Sequence, residues 1–224
     1  LLETSGCGAG NISGTIKDAV SGSAISGVSI SIRSGANVTS GSTISGKTDT
    51  TANNGTYTIS NIDPRQYGES SYTIEASKSG YMTEFIPVDG LCTSLSGQDT
   101  YMRETLPDGA MSIVLLWYGD EDFDSHLEIP VTDSDDGDSN DNDSTHLFYG
   151  TKANVALLDY HDYGAGDNVT LDRDNEDGIV ATCTHSGGKC GPETITISKV
   201  RSSGSYRYHV HAFDQAGSTT STEL

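Results

Sequence analysis

Positive charge is what this 224-residue chain has least of: 12 Lys and Arg stand against 32 Asp and Glu, a net charge of −20 with His neutral. Nucleic acid and anionic membrane surfaces both need a positive face, so neither is an expected partner. Large apolar side chains are also few. Leu, Ile, Val and Phe together make up 43 of the 224 residues, near the composition of chains that stay unfolded. Order therefore has to be read from pattern. No apolar run approaches the ~20 residues that span a bilayer, so no membrane insertion is expected. The longest, Ile113–Tyr118, is strand-sized. No signal peptide is visible, and any targeting segment is expected outside this chain. Also missing are a G-x-S-x-G elbow, an H-E-x-x-H helix and a phosphate-binding glycine loop. Paired carboxylates are plentiful, but two small sandwiches leave little material for a substrate cleft, so a non-enzyme is expected.

Helical periodicity is absent too, and period-2 alternation takes its place. Val28, Ile30 and Ile32 fall on one face against Ser29, Ser31 and Arg33; Tyr72, Ile74 and Ala76 repeat the pattern, as do Ile12 and Ile16. Turn clusters such as Asn53-Asn54-Gly55 and Ser79-Gly80 punctuate these runs. The Leu106-Pro107-Asp108-Gly109 turn divides residues 1–106, with 6 basic and 10 acidic side chains, from residues 107–224, with 6 and 22. The spacing predicts an all-β protein of two antiparallel sandwiches in tandem, about seven strands in the first and a polar excursion over 34–50. In the second, Ile113–Tyr118 is apolar on both faces, as expected of a central strand. Tyr206, Tyr208, Val210 and Ala212 oppose Arg207, His209, His211 and Phe213 across one strand.

Several segments of the first half resemble a carboxypeptidase regulatory-like (transthyretin-like) domain. They are Ile12-Ser13-Gly14-Thr15-Ile16-Lys17-Asp18, Gly22-Ser23-Ala24-Ile25-Ser26-Gly27-Val28, Asn54-Gly55-Thr56-Tyr57-Thr58-Ile59 and Tyr72 to Tyr81. That resemblance implies a non-catalytic β module of the kind found beside secreted enzymes, adhesins and surface proteins. In the second half, Asp122-Phe123-Asp124-Ser125-His126-Leu127, His146 to Gly150, Leu171-Asp172-Arg173-Asp174, Gly191 to Ile197 and Gly204 to Tyr208 resemble a YfaP-type, uncharacterised bacterial secreted β-domain. This chain departs from it in an acidic insertion at 132–145 and in ending at Leu224, where one more strand is expected. The missing strand would come from a longer chain or, by β-augmentation, from a partner.

Asp122, Asp124 and His126 alternate, so an extended strand puts all three on one face, and Asp172 and Asp174 do the same. Asp177 and Glu193 lie in flanking turns. Two carboxylates ~4 Å apart repel by about 4 kcal/mol at an effective dielectric near 20. A hard cation removes that cost, and Ca²⁺ accepts 6–8 oxygens from flexible carboxylates and carbonyls. The expected calcium ligands are Asp122, Asp124, Asp172, Asp174, Asp177 and Glu193. The run from Asp133 to Asp143 fails as an EF-hand: Gly137 stands where a ligand is wanted and Asp138 where Gly is wanted.

His209 and His211 share a strand face and would make two legs of a Zn²⁺ or Cu²⁺ site, with a third from His126, His146, His161 or His185; ordinary surface histidines are the preferred reading. Cys183 and Cys190 bracket a short hairpin tip, where a disulfide would stabilise by roughly 2–3 kcal/mol. Cys7 and Cys92 would then tie the N-terminal segment to the first sandwich. Four cysteines in a Ser/Thr/Gly-rich, lysine-poor chain suit an extracellular or cell-surface location. The expectation is an extracellular structural or adhesion protein that meets copies of itself, surface proteins or glycans, in the form of a filament subunit. The alternative is a carbohydrate-binding accessory module of a secreted hydrolase, which would need exposed aromatics; Trp117, the only Trp, sits in an apolar run.

Overall fold

The alternation of Ile with Ser and Thr fixes which side chains turn inward, and the strands follow it. A computed structural model describes residues 8–63, 71–89, 91, 93–117, 122–130, 145–150, 169–175, 190–201, 204–212 and 219–221. Those residues form fourteen strands in an all-β fold, in two compact units that end and begin at Thr105 and Leu106. Among them no helix is long and apolar enough to cross a membrane.

The first unit holds β1 (Gly10–Asp18), β2 (Ser29–Ser34), β3 (Thr48–Thr50), β4 (Thr56–Ile62), β5 (Tyr72–Ser77), β6 (Glu84–Val88) and β7 (Thr100–Met102). One sheet runs β4-β1-β7, with β7 parallel to β1; the other runs β3-β2-β5-β6, all antiparallel. Ile12 and Ile16 of β1 meet Ile30, Ile32, Tyr72, Ile74 and Ala76 of the second sheet in one buried cluster. On β4 the alternation slips. Ser60 and Asn61 are both exposed, and the β1–β4 register shifts between Gly10 and Ile12. Asn61, at φ 57°, absorbs the extra residue, so Ile59 and Ile62 both stay buried. Arg33, only 8% exposed, is paired with Glu75 on the neighbouring strand and also donates to the Gly41 carbonyl.

Gly55 precedes β4 at φ 76°, and a Cβ there would lie 2.5 Å from the Ile16 carbonyl oxygen of β1. Its own carbonyl accepts the Ile16 N–H at 2.9 Å. Gly55→Ala is expected to cost about 1–2 kcal/mol for the left-handed backbone alone, and more for displacing β1. Urea denaturation followed by far-UV circular dichroism measures it; an unchanged midpoint would contradict this close approach.

The second unit holds β8 (Met111–Trp117), β9 (Phe123–Ile129), β10 (Thr145–Leu147), β11 (Val169–Arg173), β12 (Cys190–Ile197), β13 (Arg207–Ala212) and β14 (Thr219–Ser221). Its sheets run β11-β12-β8 and β10-β9-β13-β14. Between them Leu127, Ile129, Leu147, Val169, Leu171, Ile195, Ile197 and Tyr208 form a smaller buried cluster. One expectation changes here. The apolar run in β8 belongs to an edge strand of its sheet, not a central one, among the described residues. Its side chains are half-buried from Met111 to Leu116, and an apolar run reports cover on both faces rather than the number of strand neighbours. The far side of β13 is paired over three residues by β14. The acidic stretch 131–144 lies outside the described residues.

Candidate functional site

On β9, Ser125, Leu127 and Ile129 are buried, which turns Asp124, His126 and Glu128 to the opposite face. β13 pairs antiparallel so that His211 stands opposite Asp124, His209 opposite His126 and Arg207 opposite Glu128. On the other side, β10 sets His146 opposite Glu128. One sheet face thus gathers carboxylates and imidazoles from three strands.

Two groups emerge among the described residues. In the first, ligand atoms of Asp124, Asp174 and Glu193 all lie within 4.8 Å of one another. Asp174 reaches it because the β11–β12 register shifts: Leu171 faces Ile195, while Arg173 already faces Thr194. The extra residue is Asp172, and past such a bulge the alternation changes sides. Asp172 consequently accepts hydrogen bonds from Thr170 Oγ1 at 2.6 Å and from Thr196 Oγ1, away from Asp174. The expected shared face of Asp172 and Asp174 is therefore not found. Asp122 is buried but joins neither group, and Asp177 lies outside the described residues.

Glu193 arrives from β12, two residues after Gly191, whose φ of 92° lets the strand cross close to β8; a Cβ there would lie 2.8 Å from the Leu115 carbonyl oxygen. β10 stops pairing with β9 at Leu127, and the Ser125 N–H beyond it donates to Glu193 Oε2. Glu193 is 1% exposed, and its Oε1 is buried without a hydrogen-bond partner among the described residues. Burial pushes its carboxyl up to about 8; the bonds from Ser125 oppose the rise, and Asp124 and Asp174 add to it. Asp124, 5% exposed, is also raised, chiefly by burial, with His211 opposing and Asp174 adding. Carboxylates this close repel by at least about 3 kcal/mol per pair at an effective dielectric of 20. The group therefore holds either a proton or a cation.

The second group is Asp124, His126 and His211, again with ligand atoms within 4.8 Å. His211 Nδ1 lies 3.5 Å from Asp124 Oδ2. His126 Nδ1 is 2.9 Å from His146 Nε2, and the Phe148 ring stacks on both imidazoles, its centroid 5.2 Å from His126 and 4.8 Å from His146. His126 is pushed down to about 4, first by burial and then by His146, His211 and His209, so it is neutral at physiological pH. The pairs Asp124-x-His126 and His209-x-His211 each announce a shared face; which faces meet was set by register. Cys7, Cys92 and Cys183 lie outside the described residues, and only the backbone of Cys190 is described.

No family model matches the chain, and no curated protein matches it. Among solved structures it is similar to a streptococcal ancillary pilin, with a TM-score of 0.30 and 10% identity over 96% of this chain and 58% of the other. It is also similar to a DUF3823 family protein from Parabacteroides merdae, with a TM-score of 0.30 and 12% identity over 73% of this chain and 88% of the other. The chain thus spans little more than half of the pilin structure.

Proposed function

We propose that this chain is an extracellular, non-catalytic structural or adhesion protein whose second unit is braced by Ca²⁺ at Asp124, Asp174 and Glu193. The observation that carries the reading is the convergence of three carboxylates, one of which, Glu193, also keeps a buried oxygen, Oε1, without a hydrogen-bond partner among the described residues. Such an oxygen is costly unless an ion or a proton meets it. Ca²⁺ suits the donor set, since it takes carboxylates in either mode and fills its remaining positions with carbonyls or water, whereas Mg²⁺ gives up its waters reluctantly. Catalytic carboxylates must reach a substrate, and exposures of 5% at Asp124 and 1% at Glu193 favour an ion over a sugar. A carbohydrate-binding module would present an aromatic platform. Trp117 is 7% exposed and packs edge-on against Phe123 at 5.8 Å. In this reading Cys183–Cys190 and Cys7–Cys92 disulfides clamp strand ends, and the short edge strand β14 is where another copy would add a strand to build a filament.

The test is thermal unfolding with excess EGTA and with saturating Ca²⁺, followed by fluorescence. The only Trp of the chain, Trp117, lies in the second unit and reports on it. Ligand at a hundred times its Kd stabilises by about 2.7 kcal/mol, or roughly 10 °C in Tm for a unit of this size. Equal midpoints in the two buffers would remove the calcium, and sedimentation as a monomer at every concentration would remove the filament.

A further inference from the structure

We infer that the outer face of the β10-β9-β13-β14 sheet carries a second metal site, for a borderline transition ion of the Zn²⁺ class, held by His126 and His211 with Asp124. It lies on imidazoles that the calcium reading does not use, and it shares with that reading only the Asp124 carboxylate.

Three observations carry it. The ligand atoms of these residues lie within 4.8 Å of one another, close enough for small side-chain movements to bring them to one ion. Next, His126 has one nitrogen engaged and one orphaned: Nδ1 meets His146 Nε2 at 2.9 Å, while Nε2 is buried without a hydrogen-bond partner among the described residues. With the proton on Nδ1 and donated to His146, the Nε2 lone pair is left for a metal. Ligating histidines show this arrangement, in which the second nitrogen is fixed by an outer partner. Finally, the Phe148 ring stacks on both His126 and His146 and restrains their planes. His146 thereby acts as a positioning residue. Nitrogen donors select the ion: imidazole suits Zn²⁺, Cu²⁺ and Ni²⁺, whereas Ca²⁺ takes oxygen. Two histidines and a carboxylate are three ligands, so a tetrahedral Zn²⁺ would keep one position for water or for a donor from a partner.

Isothermal titration of the full chain with ZnCl₂ and, separately, CaCl₂ tests this, with Co²⁺ absorption as a second readout of nitrogen coordination. The wild-type protein is expected to bind one Zn²⁺ at this face. His126→Ala and His211→Ala should each weaken Zn²⁺ at least 100-fold, and His146→Ala about 10–100-fold, with Ca²⁺ still bound by all three variants. Glu193→Gln should lose Ca²⁺ and retain Zn²⁺, so failure of either site is told apart from failure of the other. Trp117 fluorescence checks that each variant is folded. Should one not be, the histidine ring resonances of the wild-type chain decide, since those of His126 and His211 must move on adding Zn²⁺. Zn²⁺ affinity equal to wild type in both ligand variants, or ring resonances that stay in place, overturns the site.

Discussion

Replacing Glu193 by Gln is expected to abolish the Ca²⁺ response of the second unit and to remove the part of its metal-free stability that is lost as pH rises from about 4.5 to 8. Glu193 has an ordinary value of 4.5 and is pushed up to about 8 when folded, mainly by burial. Between those limits the folded state holds a proton that the unfolded chain has lost. Its contribution is therefore full below about pH 4.5, falls as pH rises towards 8, and is flat beyond, where both states are ionised. A span this wide corresponds to several kcal/mol. In the proposed site Ca²⁺ would take the place of that proton, so its affinity should climb with pH by up to about tenfold per pH unit and level off near 8. The glutamine keeps an oxygen for the Ser125 N–H and carries no charge. Urea denaturation at pH 5, 7 and 9 with EGTA, followed at Trp117, should show the wild-type chain losing stability relative to Glu193→Gln at each step, while His126, pushed down when folded, makes both proteins gain between pH 5 and 7. Parallel series for the two proteins would mean that Glu193 ionises unhindered.

Truncating the core beneath the site should be as damaging, and calcium should offset it in one unit alone. Ile195 is fully buried on the strand that delivers Glu193, and Ile74 is fully buried in the first unit. Either residue changed to Ala is expected to cost about 2–5 kcal/mol, through lost transfer energy and the cavity left behind. The second unit has the smaller buried cluster among the described residues, eight side chains against sixteen, so the same loss is a greater share of its stability. Ca²⁺ at a hundred times its Kd returns about 2.7 kcal/mol, enough to restore much of Ile195→Ala. Ile74→Ala should show no such recovery, because none of the proposed calcium ligands lies in its unit. Denaturation midpoints of both variants with and without Ca²⁺ measure this, and equal recovery in the two would move the ion away from Asp124 and Glu193.

Much of the fold is legible in the sequence because side-chain direction in a strand is a local property. Val28, Ile30 and Ile32 alternate with polar residues and are all buried; Tyr72, Ile74 and Ala76 behave alike. Tyr208 faces inward while His209 meets His126 across the sheet, as the alternation from Tyr206 requires. Legibility fails where alternation is interrupted. Asp172 and Asp174 read as partners by spacing, yet one extra residue between Leu171 and Arg173 parts them. β8 reads as central by its apolar content and stands at an edge among the described residues.

The amino-acid order alone determined that this is an all-β chain with its acid concentrated in the second half, since composition and period-2 patterning need no knowledge of distant residues. Only the tertiary structure decided which groups share a site. Glu193 reaches the backbone of Ser125 across 68 residues of chain, and His126 and His211 approach through strand register. Register, bulges and the stacking of one sheet on another come from long-range packing, which a run of residues taken by itself does not encode.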